Sequence, residues 1–77
     1  MAMIKRPLLL AFLERLGFVQ QRRRSGHGVW RRASDGAFIS VVLHGPSEFR
    51  GNKAAILLRQ LEKAGVPRER VRGELGG

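Results

Sequence analysis

The triplet Ser34-Asp35-Gly36 limits the fold more than any other stretch of this chain. Asp-Gly is a strong hairpin signal, because a tight reversal needs residues that accept positive φ. Both flanks have strand character. His27–Arg32 precedes the turn, and residues 37–44 follow it, with Ile39, Val41 and Leu43 alternating against Phe38, Ser40 and Val42. A two-residue Asp35-Gly36 loop sets the register: Ser34 opposite Ala37, Arg32 opposite Ile39, Trp30 opposite Val41, Gly28 opposite Leu43. Trp30 then shares a face with Ile39, Val41 and Leu43 and packs in the core. His27 falls across from His44 on the other face. A one-residue slip would exchange the two faces.

The rest of the chain arranges itself around that hairpin. Residues 1–6 are a short basic lead-in. Pro7 suits the first turn of a helix, where its missing N–H costs nothing. Leu9, Phe12, Leu13 and Leu16 follow at helical spacing, and Gly17 stops the helix, giving a first helix over 7–16. Phe18–Arg24 reads as the first strand, reversing at Ser25-Gly26. Gly45-Pro46 breaks the third strand, and residues 47–51 form a loop or the approach to a helix. From about Asn52, Leu57, Leu58 and Leu61 build a second apolar stripe, closed by Gly65 and Pro67. The expected fold is α+β: two layers in the order α-β-β-β-α, a three-stranded antiparallel sheet with both helices on one face. The other sheet face is left for solvent or a partner. Residues 1–67 make one domain, and 68–77, charged and ending in glycines, read as a flexible tail.

Seventy-seven residues allow one modest core. With no cysteine there is no disulfide framework, thiolate metal site or thiol nucleophile, and two histidines with scattered acids are too few for a structural zinc site. The absence of disulfides fits a reducing cytoplasm. No run approaches the ~20 apolar residues of a membrane span. Fifteen basic residues face six acidic ones, a formal net charge of +9, and all but Lys5, Lys53 and Lys63 of the fifteen are arginine. The arginine fork pairs with phosphate through two hydrogen bonds, so the composition points to a polyanionic partner.

The charge is densest at Arg22, Arg23 and Arg24, directly before Ser25-Gly26-His27-Gly28-Val29-Trp30. Arginines can hold a phosphate backbone while an imidazole moves a proton near neutral pH. If His27 and His44 come together beside arginines, one can be neutral and the other protonated. RNA cleavage by the ribose 2′-OH uses such a pair: a base takes the 2′-OH proton and an acid protonates the leaving 5′-oxygen. The candidate set is His27 as general acid or base and His44 as an auxiliary group. Arg22, Arg23, Arg24, Ser25, Arg31, Arg32 and Lys53 are the candidate RNA contacts. Alternate members of Arg22–Arg24 point to opposite faces of a strand, so not all three serve one site.

These residues resemble the HicA-type mRNA-interferase toxins of bacterial toxin–antitoxin systems, over about Leu8 to Val66. Leu13-Glu14-Arg15-Leu16-Gly17-Phe18 is similar to that family's helix end and Gly-aromatic step. Ser25-Gly26-His27-Gly28-Val29-Trp30 resembles its Gly-Ser-His motif. Val41-Val42-Leu43-His44-Gly45-Pro46-Ser47-Glu48 resembles its third strand and following turn, and residues 52–66 its closing helix. The resemblance implies a double-stranded-RNA-binding-like fold, mRNA cleavage without a metal or other cofactor, and an essential histidine that carries over to His27. It also implies a HicB-type antitoxin as protein partner. The family usually has Ser or Thr directly before its histidine, where this chain has Gly26 and places Ser25 one position earlier. The rival reading is a non-catalytic RNA-binding module, which would read A-form shape through phosphates and 2′-OH groups. The helix-borne lysine cluster of such modules is missing, since Lys53 stands nearly alone.

Overall fold

The computed structural model describes residues 3–24 and 26–75, with the backbone alone for residues 22–24. The elements run β1 (Ile4–Lys5), α1 (Arg6–Arg15), β2 (Phe18–Arg24), β3 (His27–Arg32), β4 (Phe38–Val42), β5 (Glu48–Phe49), α2 (Gly51–Lys63) and α3 (Arg68–Leu75). The fold is a small α+β unit with three helices and a three-stranded antiparallel sheet in the order β2-β3-β4. A two-stranded antiparallel piece, β1 with β5, stands apart from it.

α1 begins with Pro in its first turn and buries Leu9, Phe12 and Leu13. α2 buries Ala54, Leu57 and Leu61. It ends in a Schellman closure, in which the Val66 N–H donates to the Leu61 carbonyl at 2.9 Å and the Gly65 N–H to the Glu62 carbonyl at 3.0 Å. Together with Phe18, Trp30, Ile39 and Val41 of the sheet, the helix stripes form a single buried cluster. Each fully buried large side chain there contributes about 1.5–3 kcal/mol. The residues alternating with those sheet residues, among them Val19, Arg31, Phe38 and Ser40, are exposed, so one sheet face faces the helices and the other is open.

The β3–β4 register differs from the sequence reading by two positions. Trp30 pairs with Ile39, Gly28 with Val41 and His27 with Val42. A shift of two keeps every side chain on its face, and Trp30 is buried with Ile39 and Val41 as expected. The cause lies in the turn, which has four residues, 33–36, in place of two. The Arg32 N–H donates to the Ala37 carbonyl and the Gly36 N–H to the Arg32 carbonyl, both at 2.8 Å. The Asp35 carboxylate then spans the loop, accepting from the Ala37 N–H at 3.1 Å and from the Arg32 guanidinium at 2.6 and 3.0 Å. The third strand is correspondingly shorter than residues 37–44.

Two other expectations are corrected. The segment from Arg68 is helical as far as Leu75, because Val71 and Leu75, one turn apart, are buried in the common core. Ion pairs hold its ends, Arg68 to Glu62 at 3.1 Å and Arg15 to Glu74 at 2.7 Å. The basic lead-in includes β1, with Ile4 buried opposite Phe49. At the sheet's free edge on β4, the Gln60 amide accepts from the Ser40 N–H at 2.9 Å and donates to the Ser40 carbonyl at 3.1 Å. That blunts an edge another strand would otherwise pair with.

Candidate active site

His27 opens β3 on the open sheet face, exposed, with Arg24 opposite it on β2 and Val42 opposite it on β4. Gly26, just before it, has φ of +76°, a left-handed conformation that glycine adopts without cost. The Gly26 carbonyl accepts the Leu43 N–H at 2.6 Å, tying the β2–β3 turn to the chain leaving β4. His44 follows directly. Its ring centroid lies 5.7 Å from that of His27, with the planes at 79°. The rings meet edge to face, and both residues are exposed to solvent.

The His44 ring is there because residue 26 has no side chain. A Cβ on Gly26 would stand 2.4 Å from His44 Cδ2 and 3.1 Å from its Cγ. A serine or threonine at this position would collide with the ring that now adjoins His27. Arg6 fixes the segment from below, its guanidinium donating to the His44 and Pro46 carbonyls at 3.3 Å each while its backbone N–H donates to Ser47 at 2.7 Å. Three segments distant in sequence thus meet at the histidine pair. Gly28 has a different duty: a Cβ there would lie 2.5 Å from Trp30 Cζ3 and 2.9 Å from Leu43 Cδ1, so its absence lets the indole lie across the strand.

The basic candidates separate. A bulge between Gln20 and Arg22 resets the pairing of β2, so Arg22 stands opposite Val29, Arg23 opposite Gly28 and Arg24 opposite His27. The register positions of Arg22 and Arg24 therefore belong to the His27 face, and that of Arg23 to the core face. The side chains of all three, and Ser25 altogether, lie outside the described residues. Arg31 is exposed on the His27 face, four residues or about 13 Å along β3. Lys53 is exposed in the first turn of α2, where it lines a cleft with Pro46, Glu48, Arg50 and Asn52.

Arg32 departs from the sequence reading. It lies on the opposite face from His27, its side chain 17% exposed, its guanidinium stacked 4.9 Å from the Phe18 ring centroid, bonded to Asp35 and donating to the Ala64 carbonyl. Bonded through Nε and Nη2 on the face away from His27, it serves the turn and the end of α2. The same hydrogen bond is the first cause that lowers the Asp35 carboxyl to about 2, helped by the Ala37 N–H. Arg6 is the residue that sequence reasoning missed. Its partners lie about forty positions away, and no local pattern announces them.

Among the described residues no three of His, Cys, Asp and Glu gather as metal ligands would, and no helix is long and apolar enough to cross a membrane. No family model matches the chain, and neither a curated protein nor a solved structure matches it.

Proposed function

We propose that this protein is an endoribonuclease that cleaves single-stranded mRNA at the His27–His44 pair. The observation that carries the reading is the edge contact of two exposed imidazoles, 5.7 Å between centroids, at the end of an open sheet face on a chain of net charge +9. Two neighbouring imidazoles, one to accept a proton and one to give it, suit transesterification by the ribose 2′-OH. One imidazole takes the 2′-OH proton as the O2′–P bond forms. Its partner gives a proton to the 5′-oxygen as the P–O5′ bond breaks. The fragments end in a 2′,3′-cyclic phosphate and a 5′-hydroxyl, and the balance needs no metal or cofactor. Arg24 and Arg22, whose register positions fall opposite His27 and Val29, are the arginines this reading assigns to the phosphates.

The resemblance to HicA-type toxins gives this chemistry a setting: a toxin of a cytoplasmic toxin–antitoxin pair, with a double-stranded-RNA-binding-like core and a HicB-type antitoxin as partner. Gly26 stands where that family has a hydroxyl residue, and the His44 ring occupies the space a side chain there would need, so on this reading His44 takes the place beside His27. End-group analysis of the products is the test. Wild-type protein should leave cyclic phosphate and 5′-hydroxyl ends, and His27→Ala should leave the RNA whole. Fragments bearing 5′-phosphate would refute this chemistry, and binding without cutting by either protein would favour the RNA-binding module.

A further inference from the structure

The open sheet face carries an unusual mixture at the end away from His27. Of the four large hydrophobic residues most exposed among those described, Val19 at 61% and Phe38 at 65% both belong to this face and flank Arg31 in one cross-strand row. A solvated sheet face normally presents polar residues there, and an exposed aromatic beside a cation marks a contact surface. Gln21 adds to it. As the extra residue of the β2 bulge it is unpaired in the ladder, and with Val29, Arg31 and Phe38 it lines a cleft of about 230 Å³.

We propose that this cleft is a nucleobase subsite for single-stranded RNA, in which Phe38 stacks on a base, the Gln21 amide bonds that base's edge and Arg31 holds a flanking phosphate. The inference rests on the RNA reading above and extends it along the face. Base-on-aromatic stacking beside a cationic groove is how single strands are held, and it suits every base. An amide supplies both a donor and an acceptor, which is what a base edge offers in return. The occupant follows from charge. None of the residues that the register places on this face is acidic, and Arg22, Arg24 and Arg31 all hold positions on it. His27 and Arg31 lie on the same strand and face, about 13 Å apart, so a strand bound at one runs past the other.

Binding is read on the His27→Ala background, which keeps the RNA intact, by fluorescence anisotropy with a short labelled single-stranded oligoribonucleotide at 0.15 M salt. Phe38→Ala should weaken binding about tenfold, as loss of one stacked base does, and Phe38→Trp should restore it. An abasic oligomer of the same length should be bound equally by Phe38 and Phe38→Ala proteins. Arg31→Gln should lower the slope of log K against log salt by about 0.7, the loss of one phosphate contact. RNA binding indifferent to Phe38→Ala overturns the subsite and leaves the nuclease reading standing. Absence of RNA binding in every variant overturns both. If poly-glutamate affinity falls with Phe38→Ala while RNA affinity holds, the face docks an acidic protein and the subsite is overturned.

Discussion

Gly28→Ala should destabilise the protein, although it replaces a strand glycine with a residue of better backbone propensity. Gly28 is not in the left-handed region, so alanine fits its conformation, and loss of backbone freedom in the unfolded chain would favour alanine by about 0.5–1 kcal/mol. Against this stands the new methyl group, at 2.5 and 2.8 Å from Trp30 ring atoms and 2.9 Å from Leu43 Cδ1. Trp30 is only 5% exposed and packed in the common core, so its ring cannot turn aside without disturbing Phe18, Ile39 and Val41. Overpacking of this kind costs about 1–3 kcal/mol. Contacts below 3.0 Å against a buried ring place the cost in the upper part of that range, about 2–3 kcal/mol. The net loss should therefore be about 1–2.5 kcal/mol, a fall in Tm of roughly 4–20 °C for a domain of this size. Thermal unfolding followed by circular dichroism reads it directly. Trp30→Phe removes the ring atoms nearest the new methyl, so in the double variant the two losses should sum to less than their separate values. An unchanged or raised Tm for Gly28→Ala would refute the packing argument.

Three further outcomes follow from the same geometry. Gly26→Ala must place a side chain at φ +76° and within 2.4 Å of the His44 ring, so it should lose about 1–2 kcal/mol in urea unfolding, and His44→Ala should recover part of that loss; equal losses in both backgrounds would show that the ring does not sit there. Asp35 has its carboxyl lowered from 3.8 to about 2, so its contribution is present above pH 3.8 and is lost as pH falls through about 2; the fall in Tm over that window should be shallower in Asp35→Asn, and parallel curves would contradict the Arg32 bond. Leu75→Ala should cost about 2 kcal/mol in urea unfolding and Arg15→Ala at most about 1, whereas a Leu75→Ala variant as stable as the wild type would mean that α3 does not pack.

Much of this layout was readable from the residues, and the misses have local causes. The apolar stripes with Pro7, Gly17 and Gly65 place α1 and α2 within a residue or two, since propensity, capping and periodicity agree there. Asp35-Gly36 announces the hairpin but not its length, because a carboxylate bonded to both Arg32 and Ala37 favours a four-residue loop over a two-residue turn. The shift of two left the faces intact, which is why Trp30 was placed correctly while its partner was not. α3 was hidden by its charge and by the Gly65 and Pro67 signals before it. The single clue was Val71 with Leu75, one helical turn apart, too short a stripe to outweigh them. β1 and β5 have two residues each, below the length at which alternation carries information. At the site, a two-residue turn puts His44 opposite His27, but the observed partner is Val42, and His44 reaches the ring from the segment after β4. The role of Arg6 depends on that same loop, whose path no periodicity records. Arg32 looked like its neighbours in sequence and differs only in facing the core side, where Phe18 and Ala64 take up its guanidinium.

The central claim is that His27 cuts RNA, and single-turnover cleavage of a long single-stranded RNA tests it most directly. Purified wild-type protein and His27→Ala are compared with EDTA present and protein in excess over RNA. The account predicts discrete cuts by the wild type and none above background by His27→Ala, with both proteins binding the RNA and sharing one Tm. Cutting by both proteins at one rate, or by neither while both bind, would contradict it.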